Sequence, residues 1–319
     1  MKRYHHLTRE QRYTIQCLRK SGKNQSEVAR ILKLNRSTIC RELKRNRAPT
    51  GGYLGHCAQN KMAERKRNRA LSTRRIKGWL EKAILEKLYL DWSPQQICQR
   101  LKLEGRRGVS HEAIYRYIYW HRLGHYLRFG GRRRKNYGTG KRFVSKIPER
   151  VFIDKRPKSI GKRRDFGHWE RDFMEGKRHR APVLALVERK SRFILIKQVK
   201  KNTTSRANRA TLALIKKYPS KFKTITNDNG ATFADHKKLS AKAGIKIYFS
   251  NPYASWERGS VENAIGLIRQ YLPKGMCLKN IRPDYLQYIE NRLNLRPKSV
   301  LGYRTPQEKF SGKLMKLFK

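Results

Sequence analysis

Apolar positions along residues 8–45 recur at three- and four-residue steps: Ile15 and Leu18, then Val28, Ala29, Ile31 and Leu32, then Ile39, Cys40 and Leu43. That spacing predicts three short helices, each with one apolar face. Thr8 with Gln11 predicts a capping box for the first. Lys33, Leu34 and Asn35 form a short turn before the third. The third helix is expected to turn Ile39, Cys40 and Leu43 inward and to leave Arg36, Ser37, Thr38, Arg41 and Lys44 outside. A helix-turn-helix with a basic last helix places that helix in the DNA major groove. The alternative is a small helical bundle with a solvated basic face.

The same logic recurs at 92–119. Ser93, Pro94 and Gln96 combine an N-cap, a proline at the first helical position and a capping glutamine. Ile97 and Leu101 turn inward, EGRRGV reverses the chain, and Ser110 caps a helix that buries Ile114 and Ile118. His111, Glu112, Tyr115 and Arg116 remain for DNA, although the aromatic load of Tyr115, Tyr117, Tyr119 and Trp120 would serve a core equally well. Between the two patterns, a Pro49-Thr50-Gly51-Gly52 turn leads into the basic helical stretch KMAERKRNRA, an arm joining two readers of one site. Periodicity fades from 123 to 165, where LRFGGRRRKNYGTGKRF and KRPKSIGKRRDFG mix glycine, aromatics and cations. This is a solvated linker or an arm that follows phosphates, with Arg132, Arg133 and Arg134 as its candidate contacts.

From 166 the period changes to that of strands. GHWERDFMEG, APVLALVE and RFILIKQVK predict three consecutive antiparallel strands. A helix over about 204–217, the strand FKTITND, a helix over 233–243, the strand IKIYFS and a helix over 260–272 follow. A three-strand meander followed by βαβα is the order of the ribonuclease-H-like fold. The predicted class is therefore α+β and multidomain, with a mixed five-stranded sheet and helices behind two helical modules. The expected segments are 1–48, a first helix-turn-helix; 49–90, a basic helical arm; 91–122, a second helix-turn-helix; 123–165, a basic linker; and 166–319, the catalytic domain.

Charge sharpens the picture. With 78 Lys and Arg against 23 Asp and Glu among 319 residues, the formal charge is +55, so a polyanion is the expected partner. A membrane is the weaker candidate: no apolar run approaches the ~20 residues of a spanning helix, and the basic start lacks an apolar signal core. Five scattered cysteines with no C-x-x-C pair suggest reduced thiols in the cytosol rather than a disulfide frame or a zinc finger. The expected location is cytoplasmic, on a bacterial nucleoid.

In so basic a chain three acids stand out: Asp172 in an apolar, β-prone run, Asp228 at the end of KTITN, and Glu262 opening a helix with apolar face Ala264, Leu267, Ile268 and Tyr271. Two strand acids and one helix acid can converge on a pair of divalent cations, and such pairs cut and rejoin phosphodiesters. Mg²⁺, with Mn²⁺ as a substitute, suits an all-oxygen site. Glu170 and His168 share a strand face with Asp172, as a substitute ligand, a supporting group or structural residues. Asn229 and Gly230 are expected to shape the turn at Asp228 through positive φ. Trp256 and Arg258 are candidates to stack on a base or grip a phosphate, and Asn263 and Arg269 to contact DNA. Trp256 fits packing as well, and His179 lies incidentally in a hairpin turn.

These motifs resemble bacterial DDE transposases of the insertion-sequence-thirty family. The resemblance runs through STICRELKRN, WSPQQICQRL, VSHEAIYRYIY, GHWERD, LVERKSR, NDNG, PYASWERGSVEN, GLIRQYLPKG and LNLRPKSVLGYRTPQEKF, and 33 residues separate Asp228 from Glu262, the spacing that family shows. It implies that Asp172 bridges two metals, with Asp228 on one and Glu262 on the other. It further implies binding to terminal inverted repeats, 3′-end cleavage and strand transfer into target DNA, by a homodimer or larger oligomer on DNA. The chain departs from the family pattern at Arg171, where glycine is usual, at Thr232, usually an acid, and at Val261, usually asparagine. The rival readings are a catalytically inactive, transposase-derived repressor and a structure-selective nuclease of the same fold.

Overall fold

The structure, a computed structural model, describes residues 6–48, 51–72, 76–128, 130, 147–177 and 181–318. Arg132, Arg133, Arg134 and His179 lie outside the described residues. The chain divides into two compact units, Met1–Lys77 and Gly78–Lys319. Among the described residues no helix is long and apolar enough to cross a membrane.

The first unit contains α1 (Arg9–Lys20), α2 (Gln25–Ile31), α3 (Arg36–Arg45) and α4 (Gly55–Ser72). Thr8–Gln11 and Asn24–Glu27 form capping boxes, and the Asn35 side chain accepts from the Ser37 amide, so each of the first three helices begins where its sequence satisfies its free N–H groups. Leu7, Ile15, Val28, Ala29 and Ile39 form the core. Buried Arg12 bonds Glu42 at 2.8 Å, Gln59 at 3.0 Å and the Leu7 carbonyl at 2.7 Å, joining α1, α3 and α4. Cys40 is exposed, contrary to the expected inward position. Ile39 and Leu43, four residues apart, occupy the inner face, and the next position along lies about 100° round the helix.

The second unit begins with α5 (Trp79–Tyr89), α6 (Pro94–Leu103) and α7 (His111–Trp120), continues through a one-turn α8 (Lys158–Gly161), and then builds the sheet. Strands β1 (His168–Met174), β2 (Val183–Glu188) and β3 (Ile194–Gln198) form the antiparallel meander, and β4 (Thr224–Asn227) and β5 (Lys246–Phe249) add in parallel, giving the order β3-β2-β1-β4-β5. Helices α9 (Thr204–Ile215) and α10 (His236–Ala243) pack with the core around Trp169, Leu186, Leu195 and Ile225. Helices α11 (Gly259–Ile268) and α12 (Pro283–Asn294) cover the opposite face through Val261, Ala264, Ile289 and Leu293 against Ala185, Val187 and Ile194. A last helix, α13 (Pro306–Ser311), precedes the tail.

Both sheet edges are closed. Asn294 bonds both the N–H and the carbonyl of Ile194 at 2.8 Å, and Glu290 accepts from the Ile196 N–H at 2.8 Å, so α12 side chains satisfy the free edge of β3. At β5, the Phe249 N–H reaches the Val151 carbonyl at 2.9 Å, within a parallel bridge between Phe152 and Phe249.

Residues 91–122, expected as a module between two linkers, lie in the same unit as the sheet. Arg100, fully buried on α6, pairs with both oxygens of Glu308 at 2.7 and 2.5 Å and with Glu104 at 2.7 Å. Gln96 donates to the Pro297 carbonyl at 2.7 Å, and Tyr271 donates to Asp91 at 2.7 Å. The α6–α7 pair is thus bolted to the C-terminal segment.

Candidate active site

Asp172 lies on β1, Asp228 directly follows β4, and Glu262 lies in the first turn of α11. Since β1 and β4 are parallel neighbours, the two aspartates emerge side by side toward the same end of the sheet. Asp172 is raised to about 6, chiefly by burial and then by the negative charge of Asp228, with Arg258 acting in the opposite direction. The Arg258 guanidinium lies 2.9 Å from Asp172 Oδ2, and Asp172, Asp228 and Glu262 all support its charge. One arginine therefore shares a field with all three acids.

The turn at Asp228 does not use positive φ: Gly230 has φ −70°, and Asn229 is absent from the positive-φ residues. Asp228 Oδ1 accepts from the Gly230 N–H at 3.1 Å, an Asx turn, and Asn229 is held by the Ser250 carbonyl at 2.7 Å and by Arg150 at 2.9 Å. Glycine supplies space here, because a Cβ at 230 would stand 3.1 Å from Asp228 Oδ1.

Arg171 is fully buried on the other face of β1, with Nε 2.9 Å from Asn227 Oδ1, Nη1 2.9 Å from Thr211 Oγ1 and its guanidinium over the Phe233 ring. Burial lowers its proton affinity and the charge of Asp228 supports it. His168 is buried against Thr224 Oγ1 at 2.9 Å, a structural role. Glu170 is buried, and its Oε2 accepts from the backbone N–H groups of Ser260 and Val261 at 2.9 Å each. It is committed to a helix end and is not presented as a substitute ligand.

Among the described residues no group of three or more His, Cys, Asp or Glu side chains forms a ready metal cage. The donors at the centre are nonetheless carboxylate oxygens, and Arg258 already holds the place of a counter-ion at Asp172 Oδ2. Side chains of this kind fit an oxygen-ligated divalent cation.

Of the candidate DNA contacts, Arg36, Ser37, Arg41 and Lys44 are exposed on α3, and Thr38 is half-buried. Arg41 reaches back to the Ser37 carbonyl and hydroxyl, both at 3.0 Å. On α7, His111, Glu112 and Arg116 are exposed, and half-buried Tyr115 stacks on Tyr119. Trp256 is 76 % exposed, so it is not core packing, and Asn263 is exposed one residue past Glu262. Arg258 is 2 % exposed and engaged with Asp172. Arg269 donates to the Glu175 carbonyl at 2.6 Å and braces the loop after β1.

A five-stranded sheet in this order, in a chain that also carries a helix-turn-helix unit, is the architecture of an integrase-type core with a helix-turn-helix domain. The family model for the integrase core domain matches residues 162–255, and that for a helix-turn-helix domain matches residues 3–46. The chain is 38 % identical over 312 residues to the transposase for insertion sequence element IS4351 of Bacteroides fragilis, covering 96 % of this chain and 95 % of that protein. It is 32 % identical over 323 residues to transposase InsI for insertion sequence element IS30A of Escherichia coli (strain K12), covering 95 % of this chain and 82 % of that protein. The chain belongs to the insertion-sequence transposases.

Proposed function

We propose that this transposase binds the terminal inverted repeats of its own element and performs 3′-end cleavage and strand transfer with Asp172, Asp228 and Glu262. The observation that carries the proposal is the parallel pairing of β1 and β4, which sets Asp172 beside Asp228, with Arg258 at the start of the Glu262 helix 2.9 Å from Asp172 Oδ2. Asp172, Asp228 and Glu262 would hold the divalent cations, with Mg²⁺ the expected ion and Mn²⁺ a substitute. When bound, the cations supply Lewis acidity to the attacking and leaving oxygens.

The protein's own groups do the rest. The Asx turn fixes Asp228, and the rigid sheet sets its separation from Asp172. Arg258, once released from Asp172, carries a positive charge to the scissile phosphate. Exposed Trp256 offers a stacking face beside it. The α3 face reads end sequence, and the α6–α7 pair adds contacts at a fixed distance from the acids. Two ends must be held together, so the acting form is at least a dimer on DNA in the bacterial cytoplasm.

The test incubates the purified protein with labelled element-end DNA and Mg²⁺, beside Glu262→Gln, and resolves nicked and joined strands. Metal-dependent nicking and joining, lost in the variant, is expected. Tight end binding without strand breakage in Mg²⁺ or Mn²⁺ would favour the repressor, and cutting without joining the nuclease.

A further inference from the structure

We propose that Glu170 is a positioning residue that registers the Glu262 helix on the strand carrying Asp172. Helix α11 lacks a local cap. Arg258 stands at its N-cap position and makes no capping hydrogen bond, since a guanidinium has no acceptor to offer, and its side chain donates to Asp172 instead. The free N–H groups of a helix's first turn need acceptors, and two of them, on Ser260 and Val261, find both at Glu170 Oε2. The other oxygen, Oε1, lies 3.1 Å from Arg189 Nη1, and the Arg189 N–H returns to the His168 carbonyl on β1 at 2.8 Å. The carboxylate is fully buried, with two hydrogen bonds on Oε2 and the Arg189 guanidinium at ion-pair distance, outside hydrogen-bond geometry, on Oε1, and it is set at the positive end of the helix dipole.

Its location gives this cap a second consequence. On a strand, positions 170 and 172 share a face, and Glu262 follows Val261 directly in α11. Glu170 thus clamps the residue next to one acid from a point two residues away from another. In the metal-free protein the clamp is doubled by the Arg258–Asp172 pair, which crosses between the same two elements. Movement of the helix start relative to β1 has to break both.

The inference rests on the assignment of Asp172, Asp228 and Glu262 as the cleavage acids, and the experiment separates the two. Full-length protein, Glu170→Ala and Glu170→Gln are compared by Mn²⁺ binding in calorimetry, by amide exchange over residues 258–268, and by cleavage rate and affinity for element-end DNA. For the alanine variant the expected result is faster exchange confined to the start of α11 and Mn²⁺ binding weaker by about 10–100-fold, the usual cost of removing a group that orients a ligand. Maximal cleavage falls likewise, with end affinity within threefold of the parent. The glutamine variant keeps an oxygen able to accept both N–H groups and restores exchange and Mn²⁺ binding to within threefold. Parent-like Mn²⁺ binding and cleavage in a folded alanine variant would overturn the proposal. So would loss of α11 protection in a folded glutamine variant, which decides the matter if the alanine protein does not fold. A parent that binds Mn²⁺ but cleaves nothing, with the variants behaving as expected, would support Glu170 and overturn the cleavage assignment.

Discussion

Arg258 Nη1 and Asp172 Oδ2 stand 2.9 Å apart, in a pair where the arginine side chain is 3 % exposed and the aspartate 18 %. The arginine also feels Asp228 and Glu262, so the acid centre carries its own counter-ion. A divalent cation bound at Asp172 would compete with this guanidinium for the same oxygen.

Arg258→Gln should therefore tighten Mn²⁺ binding on the order of tenfold or more, the worth of one charge-assisted hydrogen bond. The metal-free protein should melt lower, because Asp172, beside the charge of Asp228, loses its cation. Calorimetric Mn²⁺ titration checks the first and thermal melts in EDTA the second. Unchanged Mn²⁺ affinity would mean the pair yields without cost.

Asp172 sets a pH dependence. Burial, and then the charge of Asp228, raise it from 3.8 to about 6, so the folded state holds this proton more tightly than the unfolded chain does. The stabilising contribution of the protonated form is complete below about 4, fades as pH rises to about 6, and is absent above. Asp172→Asn should raise the melting temperature of the metal-free protein at pH 7.5 and leave it nearly unchanged near pH 4. It should also remove stabilisation by Mg²⁺ and abolish cleavage. Equal melting shifts at both pH values would remove this titration as the cause.

Restoring glycine at 171, as the family pattern would have it, should harm this chain. Arg171 fills a buried space and bonds Asn227 and Thr211, so Arg171→Gly leaves a cavity and unpaired groups. A loss on the order of 3 kcal/mol or more is expected, read by urea unfolding, with no gain in cleavage. A faster variant would show that Arg171 restrains the site.

Arg100→Met should strand buried Glu308 and Glu104 and cost about 3–5 kcal/mol. The α6–α7 segment should become protease-sensitive before the sheet does. Limited proteolysis followed by mass spectrometry reports the order, and simultaneous digestion of both parts would mean that other contacts hold them together.

Arg41→Ala should weaken binding to element ends by about 1–3 kcal/mol if the side chain reads a base edge. Fluorescence anisotropy on element-end and random duplexes decides this. Equal loss on both would make Arg41 a phosphate contact only.

The order of strands and helices around the three acids was legible because each element carries its own pattern: β-prone runs, largely apolar in β2 and β3, and three-four spacing in α9 and α11. The caps at Thr8, Ser93 and Ser110 are equally local. What escaped depends on partners remote in sequence or on one rotamer. Nothing near Arg100 announces Glu308, two hundred residues away. Arg258 reads as a free cation in WERG, and only the folded chain turns it onto Asp172. Glu170 stood out by its strand face, but its partners are main-chain N–H groups that no side-chain pattern encodes. At Gly230 the residue type was legible and its reason was not, since the turn needs room beside Asp228 and φ stays negative.

With Asn294 and Glu290 sealing β3 and the 151–152 segment sealing β5, the sheet offers a neighbouring copy no ladder to extend. Among the described residues, then, neither edge of the sheet is left for strand sharing. In the proposed assembly each copy would carry its own sheet and its own α11, and copies on two DNA ends would meet through side chains or through the DNA itself. An assembly of that kind can come apart after the reaction without unfolding any of its members.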